Sequence, residues 1–75
     1  MNDLHKRFGA TVRRLREAQG WSLEVLAEKA DLSRSFAGDI ERGVAMPSLA
    51  TVVKLAAGLG MTATALLEQS EDWRL

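Results

Sequence analysis

Between Leu23 and Gly43 two short segments with helical patterning lie on either side of Ala30-Asp31-Leu32-Ser33. The second, Arg34-Ser-Phe-Ala-Gly-Asp-Ile-Glu-Arg42, follows a serine suited to an N-cap and is stopped by Gly43. Leu26, Leu32, Ala37 and Ile40 take core-facing positions, which leaves Arg34, Ser35, Gly38 and Asp39 on the outside. Small Ala27 lets the two segments cross closely, as the corner of two helices requires. A capped, exposed helix that opens on an arginine suits the major groove of DNA, which admits one α-helix. The unpaired N–H groups at its start suit a phosphate.

Other chemistry finds little footing. There is no cysteine, which excludes disulfides and Cys-based zinc sites, and a single histidine cannot assemble a metal cluster. A Ser-His-Asp arrangement would need His5 buried beside a nucleophile, but His5 sits in the first turn of the chain. No glycine-rich phosphate loop follows a strand. The expectation is a protein that is not an enzyme and uses no cofactor or metal.

The elements that position the outward residues are all helical. Leu4, Phe8, Val12 and Leu15 form one helix face, and Gly20 ends it. Ser22 caps the next helix, with Trp21 and Leu26 as a hydrophobic staple around it. Asp31 sits at the turn and tolerates a left-handed backbone. Pro47-Ser48 opens a fourth helix with Leu49, Val52, Val53, Ala56 and Leu59 as its expected apolar face. Gly60 closes it, and Met61, Thr62 and Leu66 repeat the staple-and-cap pattern for a fifth. No alternating apolar and polar run marks a strand. The fold class expected is an all-α, compact five-helix bundle.

At 75 residues the chain has room for one domain, 1–75, with 68–75 as an acidic C-terminal tail. Its 10 basic and 10 acidic residues balance, which argues against a bulk polyelectrolyte coat. The charges are uneven: residues 1–16 carry Lys6, Arg7, Arg13, Arg14 and Arg16 against Asp3, whereas the tail carries Glu68, Glu71 and Asp72 against Arg74. The longest uncharged run, Leu55 to Leu67, is 13 residues and is interrupted by Gly58 and Gly60, too short for a membrane span. No apolar stretch follows the first charges as a secretory signal would require, so a cytoplasmic location is expected.

The order Arg13-Arg-Leu-Arg-Glu-Ala-Gln-Gly20-Trp-Ser-Leu23, Leu26-Ala-Glu-Lys-Ala30, Leu32-Ser-Arg-Ser-Phe36, Ile40-Glu-Arg-Gly43, Pro47-Ser-Leu49 and Leu55-Ala56 resembles the phage-repressor/Cro helix-turn-helix family, also called the XRE family. The resemblance covers about residues 7–67. It implies a lambda-repressor-like DNA-binding domain whose third helix reads the major groove. It also implies a homodimer on double-stranded DNA, at a palindromic operator with half-sites about one helical turn apart. By position, the base-reading slots fall on Arg34, Ser35 and Asp39, with Gly38 beside them. The phosphate-facing slots fall on Arg13, Ser22, Ser33 and Arg42. Arg16 and Glu41 match positions that pair in the family as a salt bridge between the first and third helices.

The sequence departs from the family pattern at three places. Leu23 stands where a backbone-contacting Gln is usual, Asp31 where Gly is usual, and the loop after the third helix is the apolar Val44-Ala45-Met46. The apolar loop and the missing Gln support an alternative on the same fold, a protein-interaction module such as an antitoxin bound to a toxin. Trp73, in the acidic tail, suits either packing back onto the monomer or a dimer interface, the latter with Leu66, Leu67 and Leu75 as neighbours.

Overall fold

Side-chain hydroxyls begin four of the five helices. In the computed structural model, which describes residues 3–71, α1 spans Leu4–Ala18, α2 Leu23–Ala30, α3 Arg34–Glu41, α4 Leu49–Gly58 and α5 Ala63–Ser70. Ser22 accepts from the Val25 N–H at 3.2 Å, Ser33 from Phe36 at 3.1 Å, Ser48 from Thr51 at 3.1 Å and Thr62 from Ala65 at 3.1 Å. Each bond satisfies one of the donors that a helix start leaves without an intrahelical partner. Asp31 closes α2 in the left-handed conformation with φ 57°, and it is the one non-glycine residue with positive φ among the described residues. No strand occurs among them. The predicted all-α, five-helix architecture is what forms.

Helix α1 packs against α3 and α5, α2 against α3 and α4, and α4 against α5. Each helix sends one large, fully buried side chain to the centre: Val12, Leu26, Ile40, Leu55 and Leu66. Phe8, Ala30, Val52, Ala56 and Leu59 complete the cluster. Two glycines set the distances between axes. A Cβ on Gly9 would overlap the Ile40 carbonyl oxygen and stand 2.8 Å from that of Glu41, so α1 lies directly on the last turn of α3. A Cβ on Gly58 would stand 3.0 Å from the Lys29 backbone, so α4 also lies close to the end of α2, though less tightly.

Three expectations need correction. On α4, Leu49 and Val53 are not buried: they are 80% and 56% exposed, and Leu55 takes a core position instead. At about 100° per residue, Val52, Leu55, Ala56 and Leu59 share one sector, and Leu49 and Val53 lie past its edge. Leu4 is also exposed, in the opening turn of α1. The acidic segment assigned to the tail begins inside α5, which runs to a buried Ser70 whose hydroxyl donates to the Leu66 carbonyl at 2.8 Å.

Candidate nucleic-acid interface

The start of α2 lies beside the length of α3, and this juxtaposition builds the candidate surface. Arg34, Gly38 and Arg42 follow one another at i, i+4 and i+8 along α3. A Cβ on Gly38 would stand 3.1 Å from Nη1 of Arg42 and 3.2 Å from Cδ2 of Leu23. Gly38 is therefore buried beneath these two side chains and offers no outward surface, which corrects its placement among the base-reading positions. Leu23, in the slot where Gln was expected, is half-buried and packs against the core.

Arg34 and Ser35 are exposed at the first two positions of α3, directly after the Ser33 cap. Arg34 donates from Nε to Glu24 Oε2 on α2 at 2.7 Å. Asp39, half-buried, accepts from Arg42 Nη2 at 2.5 Å, so these two side chains engage each other across one helical turn. Arg13 is exposed and donates to Glu17 at 3.0 Å. Ser22 and Ser33 accept cap bonds, which leaves each hydroxyl hydrogen to donate elsewhere. The outer face thus carries arginines whose charge is locally balanced by carboxylates.

Arg16 and Glu41 meet as a two-pronged pair. Arg16 donates from Nε to Oε2 at 2.7 Å and from Nη2 to Oε1 at 3.0 Å, and its Nη1 donates to the Trp21 carbonyl at 2.8 Å. The two side chains are only 13% and 7% exposed, and the bonds to Glu41 raise the Arg16 pKa above its ordinary value. The guanidinium thereby ties α1, the α1–α2 loop and the end of α3 together. Lys29 lies 4.8 Å from the Trp21 ring centre and holds that side of the loop.

The residues expected at a dimer interface divide. Leu66 is fully buried in the protomer core, because α5 turns it inward against α4 and α1, and so it cannot meet a second chain. Leu67 is half-buried, and Trp73 and Leu75 lie outside the described residues. The exposed apolar side chains lie elsewhere, at Val44 and Met46 in the α3–α4 loop (70% and 71% exposed) and at Leu49 and Val53. Leu4, Phe8, Met46, Leu49, Val52 and Leu67 border a hollow of about 160 Å³ on this side. Sequence reading noticed the apolar loop but not its continuation onto α4, nor the Glu24–Arg34 pair, whose partners lie ten residues apart across the turn.

A helix-turn-helix family model, HTH_3, matches residues 12–66. This chain belongs to that family. It is 39% identical over 72 residues to the control protein C.MunI from Mycoplasma sp, covering 95% of this chain and 97% of that protein. It is 39% identical over 61 residues to the transcriptional regulator SutR of Escherichia coli, covering 81% of this chain but only 34% of SutR. Its fold is similar to that of the restriction-modification controller protein C.AhdI from Aeromonas hydrophila, with TM-score 0.81 and 41% identity over 88% of this chain and 98% of that one. The HTH_3 family includes DNA-binding transcriptional regulators, and the described residues carry its five-helix fold. No single described helix is long and apolar enough to cross a membrane.

Proposed function

We propose that this HTH_3 protein is a sequence-specific regulator that binds double-stranded DNA as a homodimer and occupies a palindromic operator. Each protomer lays α3 in the major groove of one half-site. Arg34 carries the reading: it stands exposed at the first position of α3, and an arginine there can grip a guanine edge in bidentate fashion. Ser35 and Asp39 flank it at the bases, and Arg13, Ser22, Ser33 and Arg42 hold the backbone phosphates. Because Arg13 and Arg42 already face carboxylates, the salt dependence is expected to be shallow for a DNA-binding protein.

The second copy docks on the apolar face formed by Val44, Met46, Leu49 and Val53. These side chains with Leu4 present roughly 500 Å², the size of the largest and often functional patch on a monomer. Two such faces together bury on the order of 1,000 Å², the lower bound of a specific interface. The face begins three residues after α3 ends, so a two-fold axis through it relates the two recognition helices directly. A protomer of 35 × 23 × 22 Å also suits half-sites about 34 Å apart.

The test is selection of the purified chain against a random duplex pool, followed by anisotropy titration at two salt concentrations. Enrichment of an inverted repeat, lost in Arg34→Ala, is the expected result. A second reading, a module that grips a different protein, is favoured by the same exposed apolar face and by Leu23 in place of a backbone-contacting Gln. A flat pool, wholly salt-sensitive binding and a monomer in sedimentation would turn the conclusion to that reading.

A further inference from the structure

We infer that Glu24 is a positioning residue for sequence reading: from the first turn of α2 it clasps Nε of Arg34 and presents that side chain's two terminal amino groups to a guanine edge. The inference rests on the proposed role of α3 as the recognition helix.

Of the arginines that bind carboxylates, Arg16, Arg42 and Arg34 each use the guanidinium differently, while Arg13 gives Nε as Arg34 does, but to Glu17 of its own helix. Arg16 gives Nε and Nη2 to Glu41 and Nη1 to a carbonyl, so every nitrogen is engaged within the protein. Arg42 gives a terminal nitrogen, Nη2, to Asp39 of its own helix. Arg34 gives only Nε, to a carboxylate on the neighbouring helix, and its Nη1 and Nη2 make no hydrogen bond among the described residues. The two terminal nitrogens are the fork that matches O6 and N7 of guanine. A planar guanidinium held by Nε is thus oriented without losing that fork.

Glu24 is itself held. Its own backbone N–H and then Arg34 hold the carboxyl below the usual carboxylate range. Both partners of the Glu24–Arg34 pair are 63% exposed, where an ion pair contributes little to folding. Its value lies in restricting a side chain that otherwise samples many rotamers, so less freedom is lost when DNA binds. The negative charge also weakens unspecific contact with phosphates. An unclasped Arg34 is free to swing to the backbone, which binds DNA without reading it.

The experiment uses the full chain with Glu24→Ala, Glu24→Gln and Arg34→Ala. Each is titrated against the selected operator, against operators with each half-site guanine changed in turn to adenine, and against an unrelated duplex. Arg34→Ala identifies the guanine it reads by abolishing preference at one position. At that position Glu24→Ala is expected to reduce discrimination about tenfold while strengthening binding to the unrelated duplex. Glu24→Gln, whose amide oxygen still accepts from Nε, restores part of the discrimination. All three should melt at the wild-type temperature. If Glu24→Ala strengthens binding to every duplex equally, with discrimination intact, Glu24 is only a repelling charge and the inference falls. If Arg34→Ala itself keeps every preference, the reading of α3 through Arg34 falls instead.

Discussion

Gly9 of α1 lies against the carbonyl oxygens of Ile40 and Glu41, so the first helix touches the last turn of the third backbone to backbone. Any side chain at position 9 must push the two apart. Gly9→Ala gains helix propensity but forces main-chain atoms to move, and the second effect dominates. Denaturant unfolding is expected to show a loss of about 2–3 kcal/mol. Wild-type stability would mean that the helices do not approach so closely.

Removing one partner of the Arg16–Glu41 pair strands the other where it is largely shielded from water. Glu41→Ala is expected to cost about 3 kcal/mol in equilibrium unfolding. The double variant Arg16→Met/Glu41→Met should recover most of this, because an apolar pair of similar volume needs no ionic partner. Its operator affinity should stay reduced, since the two-pronged geometry that fixes the end of α3 is gone. Full affinity in the double variant would show that the pair has no part in aiming the helix.

Gly38 separates stability from binding. A methyl group there meets the flexible ends of Arg42 and Leu23 rather than backbone. Gly38→Ala should therefore raise stability by up to about 1 kcal/mol through helix propensity. Operator affinity should fall because Arg42 is displaced from beside Asp39. Thermal melting and anisotropy on one preparation read both effects, and a gain in affinity would contradict the placement of Arg42 at the phosphates.

The apolar face makes its own prediction. Leu49→Lys changes a side chain that touches solvent, so folding stability should shift by less than about 0.5 kcal/mol. Sedimentation should show a monomer for the variant and a dimer for the wild type, and binding to an inverted repeat should weaken far more than binding to one half-site. An unchanged dimer would move the interface elsewhere.

Glu24 also predicts a pH response. Its carboxylate is lowered from the ordinary value of 4.5, first by its own backbone N–H and then by Arg34. A folded pKa below the unfolded one means the contribution is complete above 4.5 and is lost as pH falls through the lower, folded value. The clasp should thus persist through neutral and mildly acidic solution. An NMR titration of the carboxyl carbon should have its midpoint below 4.5, and Arg34→Ala should move it only part of the way back.

What was legible in the sequence was local. Ser22, Ser33, Ser48 and Thr62 announce helix starts because their hydroxyls bond N–H groups three residues ahead, and Asp31 announces a turn because few residues tolerate its backbone. The burial of α4 was not legible. With Leu49, Val52, Val53, Leu55, Ala56 and Leu59 the helix is apolar over most of its circumference, and periodicity cannot say which side is wet. Gly9 gave no signal, since its reason lies in residues 40 and 41. Likewise, nothing in the sequence marks Glu24, whose partner Arg34 reaches it only on folding.

The brevity of the helices has a kinetic meaning. Helices α2, α3 and α5 are 8 residues long and α4 is 10, all below the about 12–15 residues at which an isolated helix becomes even marginal in water. None can survive undocked, so α3 cannot fray away and leave an intact scaffold behind. Amide hydrogens in the middle of α3 should exchange only through opening of the whole molecule, at the same free energy as those around Val12 and Leu55. A chain built this way is either competent to bind or fully open to proteases, and its lifetime in a cell follows its global unfolding equilibrium.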